Sequence, residues 1–355
     1  MTLIKDFVVI DMFCGVGGLT HGLIKEGLNV VAGYDLDKSC NYAYEANNKA
    51  TFVPKNIEDV TAQELNIFFE KKRKILVGCA PCQPFSSHSN KIKLKKDIST
   101  EDERWKLIYE FKRLIETTSP EIISMENVPL VIKHKVFDDF VAALKENGYH
   151  ISNYKKIVYC PDYGIAQKRQ RLVLLASKLG PIELIAPTHK KDNYITIKSV
   201  IGGLSPIKDG ETDKKDPLHR ARKLSPTNLK RIKQITQGQN WTNFTEDLIS
   251  PCHKTEKGKT FTVAYGRMKW DEPSPTITTH CIGFSNGRFG HPEQDRAISL
   301  REAALLQSFP SNYSFIDTEK PANIASIAKH IGNAVPPKLG EVIAQSIKAH
   351  IAQYE

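Results

Sequence analysis

No apolar stretch in this 355-residue sequence approaches the roughly 20 residues that a membrane-spanning helix needs. Its opening, MTLIKDFVVIDMF, lacks the basic region, apolar block and small-residue cleavage site of a secretory signal. The seven cysteines are an odd number at no framework spacing, which excludes a disulfide scaffold and suits a reducing compartment. No second CxxC or CxxH accompanies the Cys79–Cys82 pair. Cys252-His253 and His280-Cys281 are adjacent pairs, and neighbouring residues rarely ligate one tetrahedral ion, so no metal site is expected. Repeats and low-complexity tracts are also missing. What remains is an ordinary cytoplasmic globular chain with 40% hydrophobic residues, long enough for two domains or for one with a large insert.

Charge is present in excess and unevenly placed. The net charge is +10. From Thr188 to Lys269 there are 17 Lys and Arg against 8 Asp and Glu, leaving 33 against 32 for everything else. A phosphate backbone is the natural partner of such a segment, the alternative being a merely solvated basic face. A second cluster, Lys91, Lys93, Lys95 and Lys96, follows soon after Cys82 and reads as a loop that closes over a polyanion.

Two segments carry the chemistry. GCAPCQPFS (78–86) ends the apolar run ILV and turns through Pro81, presenting Cys82 where a strand would stop. MENV (125–128) closes the apolar run IISM, so Glu126 is expected at a neighbouring strand end. In an open α/β sheet, the carboxyl ends of adjacent strands line the active-site crevice. A thiol nucleophile and a carboxylic acid facing one pocket can attack and protonate an electron-poor heterocycle. The CxxC spacing of Cys79 and Cys82 leaves a redox pair as the alternative, and Glu126 alone would be an ordinary carboxylate.

Further motifs join these two. DFVVIDMFCGVGGLTHGL reads as strand, glycine turn and helix, the opening of a nucleotide-binding unit. A second strand, NVVAGYD, ends in Asp35 about 20 residues on, where a carboxylate can accept both ribose hydroxyls. Asp37 is expected to cap the next helix. DYGIAQKRQRLVLLAS (162–177) places Gln167, Arg169 and Arg171 on an alternating stretch, so both guanidiniums can point one way. GNAVPP (332–337) precedes a closing amphipathic helix.

The order of these motifs, over residues 7–187 and 262–353, resembles the DNA (cytosine-5) methyltransferase family. The resemblance implies an α/β fold: a Rossmann-like S-adenosylmethionine-dependent methyltransferase domain with a smaller inserted target-recognition domain. It places the large domain at 1–187 and 301–355, and the recognition domain with its hinge at 188–300, with a DNA cleft between. It implies that Cys82 attacks cytosine C6, that Glu126 protonates N3, that Arg171 holds O2 and that Arg169 braces the loop and the acid. Around S-adenosyl-L-methionine it sets Phe13, Gly15, Gly17, Gly18, Asp35, Leu36, Asn56, Ile57, Pro81, Asn333 and Val335. Many relatives carry Asp where this chain has Asn56, which leaves Asp59 as the runner-up for the adenine amino group; His330 stands where relatives often carry Gln. Arg267, Asp271 and Ser274 are expected to be scaffold. Gln83, Ser86, Ser87, Lys91 and Lys93 are the expected DNA contacts, closing behind a base flipped from the duplex.

The implied partners are double-stranded DNA and a cognate restriction endonuclease acting separately, for a monomeric enzyme found at the nucleoid through its DNA. The nearest rival enzyme, a tRNA cytosine-5 methyltransferase on the same motifs, usually carries a Cys-Phe-Thr signature that is absent here. A catalytically dead DNA-binding regulator would be expected to have lost Cys82, Glu126 or the glycine turn, and all are present.

Overall fold

The computed structural model describes residues 3–81 and 106–354. Its main sheet has seven strands: β1 (Phe7–Met12), β2 (Val30–Asp35), β3 (Thr51–Pro54), β4 (Arg73–Gly78), β5 (Ile122–Asn127), β6 (Ile157–Tyr159) and β8 (Gln170–Ser177). They lie in the order β3-β2-β1-β4-β5-β8-β6. The first five run parallel, while β8 is antiparallel to both β5 and β6. Strands covered on both faces read as unbroken apolar runs, and all six residues of β1 and of β5 are buried.

Helices α1 (Gly18–Lys25), α2 (Asn41–Asn47), α3 (Ala62–Phe69), α4 (Lys106–Thr118) and α5 (Lys135–Glu146) connect or follow the parallel strands. In α4 the buried residues Ile108, Phe111, Leu114, Ile115 and Thr118 recur at helical spacing. In α5 they are Val136, Phe137, Phe140, Val141, Ala143 and Leu144. Both stripes join Val8, Ile10, Met12, Leu76, Ile123 and Met125 in one core. The chain moves from β1 out to β3, then returns to β4 on the other flank of β1. That reversal puts the switch point, where open α/β sheets bind ligands, at the carboxyl ends of β1 and β4.

A long helix near the end of the chain, α12 (Pro337–Tyr354), returns to α1. Two glycines make the crossing possible. A β-carbon on Gly22 would collide with the Pro337 carbonyl, and one on Gly340 would meet the Leu19 carbonyl. Around the crossing Lys25 pairs with Glu341 at 2.8 Å, and His350 bonds Ser177 at 2.7 Å.

The chain divides into two compact units, one of residues 3–159, 170–187 and 335–354, the other of residues 160–169 and 188–334. The second unit carries α6 (Ile197–Ile201), α7 (Pro226–Lys233), α8 (Pro251–Lys254), α9 (Glu256–Lys259), α10 (Leu300–Leu306) and α11 (Ile324–Asn333). Its two-stranded ladder pairs β7 (Gln167–Lys168) with β9 (Ser274–Pro275). A local core gathers Ile232, Ile235, Trp241, Phe244, Leu248 and Phe284. The expected boundaries grouped 160–169 and 301–334 with the first unit. These residues pack otherwise because β7 pairs with β9, Arg301 binds Asp216 and Glu302 forms a buried ion pair with Arg296. No helix among the described residues is long and apolar enough to cross a membrane.

Candidate active site

After β1 the backbone turns through Phe13, Gly15 and Gly17, whose φ angles of 61°, 51° and 82° all lie in the left-handed region. Glycine adopts that conformation freely, whereas Phe13 holds it at a cost. Gly17 precedes α1 and offers no side-chain cap, so the first amides of the helix stay open toward the loop. Asp35, at the end of β2, holds the loop in place. Its Oδ2 accepts from the Gly15 N–H at 2.9 Å and its Oδ1 from the Asp37 N–H at 2.8 Å. Phe13 is half-buried, edge-on to Phe111 at 6.4 Å.

The other expected cofactor contacts line this side of the sheet differently. Gly18 opens α1, Leu36 is 68% exposed beyond β2, and Ile57 is buried. Asn56 caps a turn by accepting from the Glu58 N–H at 3.3 Å, while Asp59 is exposed. Asp37 caps its turn as expected, accepting from the Ser39 N–H at 3.2 Å.

Asp11 was missed by the sequence reading. It interrupts the apolar run VVIDMF and lies 1% exposed under α1, with Oδ2 accepting from the Thr20 hydroxyl at 2.6 Å. Its Oδ1 has no hydrogen-bond partner among the described residues. Burial, with the nearby Asp35 carboxylate adding to it, pushes its pKa up to about 7 despite the bond from Thr20. Asp35 at the end of β2, beside the glycine loop, fits a cofactor that carries a ribose, as S-adenosyl-L-methionine does.

At the neighbouring strand ends Gly78 of β4 pairs with Met125 of β5, so Cys79 comes alongside Glu126. The Cys79 thiol donates to Glu126 Oε2 at 2.7 Å. On β8, opposite Asn127 in the ladder, is Leu172, next to Arg171, whose Nε lies 2.8 Å from Glu126 Oε1. This is an ion-pair approach without hydrogen-bond alignment, because Oε1 accepts no hydrogen bond from the described residues. Glu126 itself is 2% exposed. Asn127, also missed, donates from Nδ2 to the Ala80 carbonyl at 3.3 Å and so ties the end of β5 to the segment that follows β4.

Arg169 and Arg171 do not share one face of a continuous strand, as the alternating pattern had suggested. The ladder breaks between β7 and β8, and Arg169 belongs to the second unit. There it is buried and donates to the carbonyls of Ile277 at 3.2 Å and Ala334 at 3.3 Å, where it braces two chain segments. Gln167 beside it accepts from the Ile277 N–H at 2.9 Å. Asn333, in the same unit, is exposed; Val335, in the first unit, is buried. Arg267 is scaffold, its guanidinium buried against the carbonyls of Ile232, Ile235, His291 and Gln294. Ser274 is buried in β9. Cys82, Gln83, Ser86, Ser87, Lys91 and Lys93 lie outside the described residues.

The profile of the family described as C-5 cytosine-specific DNA methylase matches residues 7–349. A Type II methylase of Herpetosiphon aurantiacus, M.HgiDII, is 52% identical over 344 residues, which are 96% of this chain and 94% of that protein. The Type II methyltransferase M.Sau96I of Staphylococcus aureus is 27% identical, over 99% of this chain and 77% of its own. Among solved structures, a prophage-encoded E. coli protein designated a DNA modification methyltransferase superposes with a TM-score of 0.71 at 21% identity. It covers 97% of this chain and 99% of its own, a likeness of fold.

Proposed function

Because this chain belongs to the C-5 cytosine-specific DNA methylase family and is a DNA (cytosine-5) methyltransferase, we propose that it modifies one specific double-stranded DNA sequence. In this reading it is the methylating half of a Type II restriction–modification system. It acts as a monomer, with a cognate endonuclease as a separate protein; the 52% identity to a Type II methylase supports the assignment. The first unit carries the chemistry and the basic residues 188–269 choose the site.

The single observation that carries the reaction is Glu126, buried with an unbonded Oε1 beside Arg171, at strand ends next to the switch point. Cytosine C5 is a poor nucleophile until electron density is added to the ring. The Cys82 thiolate supplies it by bonding to C6, while Glu126 passes a proton to N3 and Arg171 holds O2. A thiol with an unperturbed pKa near 8.5 is mostly protonated at neutral pH, so the surroundings of Cys82 must favour the thiolate. Asp35, the glycine loop and the first turn of α1 hold S-adenosyl-L-methionine, which when bound supplies the electrophilic methyl group. Loss of the C5 proton, departure of Cys82 as thiolate and return of the N3 proton to Glu126 then leave 5-methylcytosine. Ring atoms are out of reach inside a duplex, so the base must flip out.

Duplex DNA bearing 5-fluorocytosine at the target tests this, since fluorine cannot leave as a proton does. Covalent trapping should require S-adenosyl-L-methionine and vanish in Cys82→Ser. Trapping that survives Cys82→Ser and is lost in Cys79→Ser would identify the wrong thiol.

A further inference from the structure

We infer that Cys79 is a positioning residue for methyl transfer: its thiol fixes Glu126 through Oε2 and leaves Oε1 as the oxygen that meets the target base. The inference rests on the proposed role of Glu126 as the acid.

The register of the sheet creates the contact. One residue past the Gly78–Met125 pair, two side chains of neighbouring parallel strands emerge on the same face, and here they are a thiol and a carboxyl. The separation is 2.7 Å. The two oxygens of Glu126 are thereby made different. Among the described residues Oε2 receives a hydrogen bond, whereas Oε1 has the charge of Arg171 at 2.8 Å, out of line for a bond. A buried polar atom with unspent bonding capacity is uncommon, and one reason for it is a ligand yet to arrive.

The chemistry then assigns the contact a direction. During the reaction one proton passes from Oε1 to the ring nitrogen, and no bond to the Cys79 sulfur forms or breaks. Before transfer Oε2 is the oxygen of a neutral acid, a modest acceptor. After transfer it belongs to a carboxylate, and hydrogen bonds to charged acceptors are roughly twice as strong. The thiol therefore stabilises the state that develops more than the state that binds, which raises kcat without tightening the ground-state complex. A redox role for Cys79 predicts sensitivity to oxidants instead. A packing role predicts a loss that does not depend on a donor hydrogen.

Steady-state methyl transfer to duplex DNA carrying the wild-type site, itself identified by bisulfite sequencing, separates these roles. Cys79→Ala should lower kcat about tenfold, the scale of one lost hydrogen bond to a charged group, with KM for DNA and cofactor within about twofold. Cys79→Ser keeps a donor in place and should recover most of the loss. An alanine variant with wild-type kcat, or alanine and serine variants equally impaired, overturns the assignment. Wild-type protein that leaves cytosine unmethylated overturns instead the functional reading beneath it.

Discussion

The two units hold their backbones together in different ways. In the first, strand ladders satisfy the main chain and the helices run from 7 to 18 residues. In the second, helices run from 4 to 10 residues, and arginines do much of the work of a ladder. Arg267 spans four backbone carbonyls, and Arg231 bonds the Leu248 carbonyl and Ser250 while lying over Tyr265 at 4.8 Å. A sheet fixes its strand ends to within fractions of an ångström, which suits acid–base work. Turns held by side chains can be exchanged one at a time without unravelling a ladder.

The sharpest way to break this contrast is Glu126→Gln, which removes the acid but keeps the shape. Methylation should fall about 10²- to 10⁴-fold, while calorimetry finds cofactor binding unchanged; a mild effect would move the chemistry away from the strand ends. Next is Arg296→Met in the second unit. It leaves Glu302 buried without its partner, and urea denaturation should report a loss of about 3–5 kcal/mol.

Gly22→Ala tests the first unit by forcing a β-carbon into the α1–α12 crossing. Overpacking of this kind costs about 1–3 kcal/mol, and the melting temperature should fall accordingly.

Asp11 adds a pH signature to the same unit. The unfolded chain releases this proton near pH 3.8, whereas the folded protein keeps it to about 7. Its contribution to stability is therefore complete below that window and lost as pH rises through it. Asp11→Asn should flatten the decline and gain about 1–3 kcal/mol at pH 8. The smallest effect belongs to the basic segment. Replacing the exposed Lys233 by Gln should weaken binding to all DNA sequences alike and reduce the salt slope by about one. Grafting the segment from a relative should move the methylated site.

Much of the first unit could be read from the chain, because parallel strands appear as apolar runs and a glycine loop has fixed spacing. Asp35, Glu126 and the end of β4 at Gly78 were legible as strand ends. The partners of Glu126 were not: Cys79 reaches it through strand register, which no local pattern encodes. Asn127 escaped for the same reason, whereas Asp11 left a local sign as the charged residue inside the apolar run VVIDMF. Arg169 misled because two residues apart means one face only on an unbroken strand, and the ladder breaks beside it. Net charge misled more subtly. Arg231 and Arg267 count toward the basic excess of 188–269, yet both are spent on internal carbonyls, so the positive surface is smaller than the tally of residues suggests.

The crossing of α1 and α12 also bears on synthesis. Lys25 and Glu341 are 316 positions apart, so the helix behind the glycine loop waits for its cover until that much more chain has been made. On a ribosome adding about 5–20 residues per second, the interval is tens of seconds. During it Leu19 and Leu23, fully buried in the finished protein, have no α12 to pack against. A newborn chain is thus without the completed α1 platform that its glycine loop stands on, and activity should appear only after translation has passed Gly340.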